Sequence, residues 1–172
     1  ICINRGSDRL DTIMEAARSA QRSRRESGGY IPEIVTFGTD PGSDYLAYDI
    51  RSLASDGGCI SFHVRSSAFD DVFEISMHGL FNVDNALAAI TMTHRLGIPL
   101  DSIKAGLKKA RVSGRMEMFT SRTRGFSVIV DYAHNQMSFE TLFHSVKKEF
   151  PGRKISIVFG CPGGKAQQRR QE

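Results

Sequence analysis

Side chains that could bind a ligand gather in three short stretches of this 172-residue chain. The first stretch spans residues 79–85 and carries two asparagines, the second spans residues 114–117 and carries an arginine, and the third reads Asp131-Tyr132-Ala133-His134-Asn135. Amide side chains can offer a donor and an acceptor to the edge of a base, and a guanidinium group can hold phosphates. Together these groups suit a nucleotide-sized polar ligand.

Each group in the first two stretches also has a structural interpretation. Asn82 and Asn85 lie at the first turn of a predicted helix, so one of them could cap the helix while the other faces a base. Arg115 could reach phosphates held between two domains, or could form an ion pair with Glu117 or another acid. The residue types alone leave both alternatives open.

The third stretch follows an apolar segment that ends in Asp131. Ligands of open parallel sheets lie beyond the carboxyl ends of the strands, so this carboxylate could accept hydrogen bonds from a ribose, or could cap the next turn. His134 could act as a base, contact a substrate or pack on adenine, or make an ordinary hydrogen bond. No other ligand type stands at a suitable spacing from His134, and no metal site is predicted there.

A second polar loop, from Gly160 to Lys165, follows another apolar segment. Its glycines could present backbone N–H groups to an anion. The loop does not match the G-x-x-x-x-G-K-[ST] phosphate loop, because Ala166 follows the lysine. We interpret Cys161 as structural, since no base beside it can be identified.

The elements that must position these groups predict an α/β fold. Apolar residues recur at helical spacing from Leu10 to Ala20, a short strand ends before Gly38, and strand-like runs follow between residues 45 and 76 as a meander. Two helices come next, the second with Asp101 as its predicted N-cap.

After residue 113 the pattern predicts a strand over residues 126–131, a helix capped by Ser138 and a strand over residues 155–159. This order favours parallel strands with a right-handed connection. The predicted domains are residues 1–112 and residues 113–172.

Composition excludes several classes of protein. The net charge is +4, but the basic residues are scattered, which argues against nucleic acid as a partner. No apolar run reaches the roughly 18 residues of a membrane span, and no signal peptide is recognisable. Three widely spaced cysteines without a C-x-x-C pair favour neither disulfides nor zinc, so we expect a soluble protein of the reducing cytoplasm.

Taken together, the motifs resemble the Mur ligase family. Gly79-x-Phe81-Asn82-x-x-Asn85, Gly114-Arg115-Met116-Glu117 and Asp131-Tyr132-Ala133-His134-Asn135 stand in the family's order. The last form is most similar to the members that add the third residue of the stem peptide. The resemblance implies the second half of a central ATPase domain, followed by part of a Rossmann-like C-terminal domain.

The resemblance also implies an activity and a set of roles. The family uses ATP to form an acyl phosphate and then joins an amino acid to a UDP-N-acetylmuramoyl-peptide in peptidoglycan synthesis. By position, Asn85 would contact adenine, Arg115 the phosphates or the ribose, and Asp131 the ribose. Arg115 and His134 are the catalytic candidates, and His134 and Asn135 would line the substrate cleft.

Several features depart from the family pattern or stay open. Gln136 stands where the family often has proline. The phosphate loop and most ligands of Mg²⁺ are expected before Ile1, so the segment alone is expected to be inactive. Alternatives are a ligase similar to folylpolyglutamate synthase or cyanophycin synthetase, or a non-catalytic module with a decayed ligase fold. The sequence does not specify the amino acid added.

Overall fold

The first part of the protein is a five-stranded sheet, seen in a computed structural model that describes residues 1–53 and 59–160. Its strands lie in sequence order: β1 (Cys2–Asn4), β2 (Val35–Gly38), β3 (Tyr45–Leu53), β4 (Cys59–Arg65) and β5 (Asp70–Ile75). The pairs β1–β2 and β2–β3 are parallel, whereas β3–β4 and β4–β5 are antiparallel. The predicted α/β class and the predicted meander are both confirmed.

Residues 1–53 and 59–160 also form four helices: α1 (Leu10–Glu26), α2 (Asn82–Arg95), α3 (Leu100–Lys109) and α4 (Gln136–Glu149). Helix α2 buries Val83, Leu87 and Ile90 against the sheet, at the three- and four-residue steps that place side chains on one face. Helix α3 adds Ile103 and Leu107 to the same core. No helix within the described residues is long and apolar enough to cross a membrane.

The core is built on the inward face of the meander. Along β4, Ile60, Phe62 and Val64 are buried and alternate with partly exposed residues, as expected for a sheet covered on one side. Phe62 and Phe73 are stacked with ring centroids 6.4 Å apart and are almost fully buried. Complete burial of an apolar side chain of this size contributes about 1.5–3 kcal/mol.

The start of α3 corrects one prediction. Asp101 is not the N-cap: the helix begins at Leu100, Pro99 occupies the N-cap position, and no side chain caps the helix. The proline ring fixes φ at the N-cap position (−59°), where ψ is extended at 141°. Asp101 lies in the first turn, where its charge is favourable for the helix dipole.

The second part, as far as residue 160, contains β6 (Glu117–Thr120) and β7 (Ser127–Val130), which pair antiparallel, and α4. The strand predicted over residues 126–131 is present, but Val128 and Val130 are exposed rather than buried. The strand predicted over residues 155–159 is wrong, because residues 153–160 form no regular structure, and the predicted parallel arrangement fails with it. A strand needs a neighbour for its backbone groups, and none pairs with this segment within the described ranges.

The predicted glycine-rich loop from Gly160 to Lys165 lies outside the described residues from residue 161 onward, and so does Cys161. The division into residues 1–112 and 113–172 stays a prediction. The two parts nevertheless touch, because Met116 and the end of α4 pack on the segment that joins β5 to α2.

Candidate functional site

The turn before α2 is closely packed around Gly79. Its φ of +87° lies in the left-handed region, which glycine adopts without strain. A Cβ at this position would lie 2.6 Å from Cε1 of Phe81 and 3.1 Å from Cγ of Met116. The absence of a side chain at Gly79 therefore lets the second motif approach the first.

Asn82 and Asn85 are linked to each other rather than to the helix backbone. Asn82 Nδ2 donates to the carbonyl oxygen of His78 at 2.6 Å, and Asn85 Nδ2 donates to Asn82 Oδ1 at 3.0 Å. The N-cap position of α2 is Phe81 and has no side-chain cap, so neither asparagine caps the helix and that alternative is wrong. Asn85 is exposed and keeps its oxygen and one N–H for a ligand.

Asp131 connects the third motif to the second. Its Oδ2 accepts the backbone N–H of Met116 at 2.9 Å, and its Oδ1 accepts the backbone N–H of Ala133 at 2.8 Å. Glu117 Oε2 accepts the backbone N–H of Gly114 at 2.9 Å, which closes the same turn. Asp131 thus holds its own loop, as the structural interpretation required, and each of its oxygens retains a further lone pair.

Arg115 is exposed and lies between Gly114, which donates to Glu117, and Met116, which donates to Asp131. Its guanidinium carbon is 4.8 Å from the ring centroid of Tyr132, a cation–π contact. The Glu117 carboxylate accepts a hydrogen bond from the Gly114 N–H. No carboxylate in the described part of the chain lies within ion-pair distance of Arg115. The predicted ion pair with Glu117 is therefore not formed, and stacking leaves the N–H edges of the guanidinium open to an anion.

His134 and Asn135 occupy the loop that enters α4. His134 Nδ1 lies 2.9 Å from the carbonyl oxygen of Tyr132, which can only accept, so Nδ1 carries the proton and Nε2 is the accepting atom. Asn135 Oδ1 accepts the backbone N–H of Ser138, and the Ser138 hydroxyl accepts that of Asn135. Asn135 is therefore the N-cap in place of the predicted Ser138, because its backbone is extended at this position.

The structure adds two residues, Glu149 and His78, that the sequence analysis did not identify. Glu149, with a side chain only 1% exposed, accepts the backbone N–H of Gly79 at 2.8 Å and lies 3.2 Å from His78 Nδ1. Glu149 is spaced three and four residues from Val146 and Ser145, on the inner face of α4. A buried carboxylate needs a polar partner, so a glutamate at an inward position of a predicted helix is the pattern by which Glu149 could have been identified from the sequence.

The motifs are brought together only in part. Met116 joins them, since it packs on Gly79 and donates to Asp131. No hydrogen bond links Asn85 to Arg115, Asp131 or His134 among the described residues. Beside Asn85, burial raises the pKa of Asp84 above its usual value.

The described residues form no cluster of metal ligands around the three motifs. In the two described ranges, no three His, Cys, Asp or Glu side chains converge as ligands. The residues present do not fit the Mg²⁺ that the resemblance implies. Asn85 and Arg115 each keep polar groups for which the described residues offer no partner.

Comparison with known proteins agrees with these motifs. The family described as "Mur ligase, glutamate ligase domain" matches residues 114–172. The chain is 35% identical over 134 residues to the UDP-N-acetylmuramoyl-L-alanyl-D-glutamate–L-lysine ligase of Streptococcus agalactiae serotype Ia, covering 75% of the chain and 27% of that protein. It is 38% identical over 136 residues to the corresponding 2,6-diaminopimelate ligase of Clostridioides difficile, covering 78% and 27%.

Solved structures show the same fold. The crystal structure of MurF from Acinetobacter baumannii superposes with a TM-score of 0.66 at 21% identity, covering 89% of this chain and 29% of that one. Folylpolyglutamate synthase from Thermotoga maritima superposes with a TM-score of 0.54 at 25% identity, covering 77% of this chain and 29% of that one.

The chain spans about a quarter of the length of the curated relatives it matches, 27% for both ligases named above. The family match begins at Gly114 and so includes the second and third motifs of the candidate site.

Proposed function

The chain belongs to the Mur ligase family, and from that premise we propose that it forms the nucleotide side of an ATP-dependent ligase. The ligase would join an amino acid to a UDP-N-acetylmuramoyl-peptide, as the names of its relatives state for those proteins. One observation carries the proposal: Met116 packs on Gly79 and donates to Asp131, so that the three motifs meet around one residue.

Each candidate residue has a role that its surroundings support. Asn85 binds adenine through the amide oxygen and the N–H that Asn82 leaves unused. Arg115, stacked on Tyr132, holds phosphate or ribose oxygens through its open N–H edges. Asp131 contacts the ribose through the lone pairs that Met116 and Ala133 do not occupy.

His134 and Asn135 belong to the substrate side in this proposal. The Nε2 atom of His134 can accept a hydrogen bond from a substrate, because Nδ1 donates to Tyr132. Asn135 positions the loop through its cap of α4 and can offer its Nδ2 group to a ligand. Bound ATP supplies the phosphoryl group that activates the carboxylate, and closure of this surface excludes water from it.

The wider setting is also part of the proposal. The ligands of Mg²⁺ belong to parts of the protein other than the described residues. The spacing of the cysteines supports a cytoplasmic protein. The division into residues 1–112 from the ATPase domain and residues 113–172 from the C-terminal domain is supported by the start of the family match at residue 114.

The test is a ligase assay on the intact protein. UDP-N-acetylmuramoyl-dipeptide is supplied with ATP and either L-lysine or diaminopimelate, and a folate substrate with glutamate serves as the comparison. We expect turnover with the muramoyl substrate and a rise in the KM for ATP of about tenfold or more in Asn85→Ala, the loss of one good base contact. Turnover of the folate substrate alone would overturn the substrate assignment, and absence of any ATP-dependent ligation would overturn the proposal.

A further inference from the structure

The end of α4 carries a buried carboxylate that the proposed chemistry does not use. Glu149 has a side chain that is 1% exposed, and its two oxygens are directed at the turn before α2. One oxygen accepts the Gly79 N–H, and the other faces the imidazole of His78, which is itself 6% exposed. Glu149 is thus the point at which α4 is attached to the first part of the protein.

This attachment continues to the proposed adenine residue through hydrogen bonds. The carbonyl oxygen of His78 accepts from Asn82 Nδ2 at 2.6 Å, and Asn82 Oδ1 accepts from Asn85 Nδ2 at 3.0 Å. Asn82 is buried, whereas Asn85 is exposed. The series therefore begins at Glu149 in the interior and ends at a surface amide.

The series also fixes which way each amide points. A carbonyl oxygen can only accept, so His78 requires the Nδ2 group of Asn82 on its side and leaves Asn82 Oδ1 toward α2. That oxygen in turn requires the Nδ2 group of Asn85. With respect to the described residues, Asn85 consequently presents a free oxygen and one free N–H, the pair that complements the amino group and N7 of adenine.

We propose that Glu149, through His78, is a positioning residue that sets the orientation of Asn85 for an adenine base. The role rests on the proposed function, because it requires a nucleotide at Asn85. Without the carboxylate, the His78–Gly79 segment loses its two side-chain contacts with α4. The carbonyl that orients Asn82 then moves, and the amide of Asn85 is free to rotate.

The test compares Glu149→Leu with Glu140→Gln in the intact protein. Glu140 lies on the exposed side of the same helix and bonds only Gln136 among the described residues, so it is the matched control. Equilibrium binding of a fluorescent ATP analogue is measured, together with the KM values for ATP, GTP and the amino acid. For Glu149→Leu we expect about tenfold weaker binding of the analogue and a smaller preference for ATP over GTP, with the KM for the amino acid within about twofold.

The outcomes separate the two proposals. Unchanged binding and unchanged preference in a folded Glu149→Leu protein would overturn the positioning role, and an equal rise in all KM values would overturn it in favour of general loosening. If Glu149→Leu does not fold, Glu149→Gln and His78→Gln are measured in the same way and decide by the same criteria. If the unmodified protein binds no ATP analogue, the proposed function fails, and the positioning role falls with it.

Discussion

The carboxylate of Asp131 accepts the backbone N–H of Met116 at 2.9 Å and so ties the end of β7 to the turn before β6. Met116 is 2% exposed and has a φ of +49°, a conformation that a residue with a side chain seldom adopts. The bond therefore stabilises a strained turn whose neighbour, Arg115, is a proposed nucleotide contact. The same carboxylate serves the fold and the proposed site.

Replacing Asp131 is expected to destabilise this turn. Asp131→Ala removes the acceptor for both Met116 and Ala133, and should lower the free energy of unfolding by about 1–3 kcal/mol. Asp131→Asn retains one acceptor oxygen and should lose less. Urea unfolding of the intact protein measures both. Equal stability of the alanine variant and the unmodified protein would contradict a structural role for this bond.

Gly79 should not tolerate a methyl group. Gly79→Ala adds a Cβ at 2.6 Å from the Phe81 ring and retains a φ of +87°, so a loss of about 1–3 kcal/mol is expected. Gly106→Ala is the matched control, because this helical glycine has open space around it and alanine should stabilise α3 by about 0.5–1 kcal/mol. Thermal unfolding should move in opposite directions for the two variants, and a shift in the same direction would count against this account.

The cap of α4 is expected to depend on Asn135 more than on Gln136. Asn135→Ala removes the bond to the Ser138 N–H and should lower stability by about 1 kcal/mol. Asn135→Asp keeps an accepting oxygen and should be close to neutral. Chemical denaturation followed by circular dichroism tests this, and a neutral Asn135→Ala variant would show that the cap is not needed.

The partly buried carboxyl group of Asp84 should make the stability of the protein depend on pH. Burial raises the pKa of its carboxyl in the folded protein, so the folded state binds the proton more tightly than the unfolded state. Stability should therefore fall as the pH rises from the unfolded pKa, about 3.9, through the folded one. Asp84→Asn should be more stable than the unmodified protein near neutral pH, and the two should converge in acid. A constant difference across a series of thermal unfolding curves would contradict this.

The ion pair between Lys104 and Asp71 should act in the opposite sense. The hydrogen bond from Lys104 holds the pKa of Asp71 below its usual value, so its contribution is present above the unfolded pKa and is lost as the pH falls through the folded one. Both side chains are partly exposed, and we expect less than about 1 kcal/mol. Lys104→Met should remove this contribution near neutral pH, and added salt should weaken it in the unmodified protein, as measured by urea unfolding.

Predictions from local pattern were most successful where one face of an element is buried. The helical spacing in α2 and the alternation in β4 follow from burial on a single side, which the order of residues records directly. Prediction failed for residues 155–159, where an apolar run predicts a strand and the structure has no regular element. A strand is defined by its neighbours, and an apolar run does not say whether a neighbour is present.

The sequence by itself determined the family, the order of the three motifs and the elements that carry them. Only the tertiary structure decided which polar groups contact each other. Asn135 rather than Ser138 caps α4, Tyr132 rather than Glu117 lies beside Arg115, and Glu149 contacts His78. These choices join residues as far apart as 71 positions in the chain. Each depends on the distance and burial that folding creates, and for that reason local pattern could not supply them.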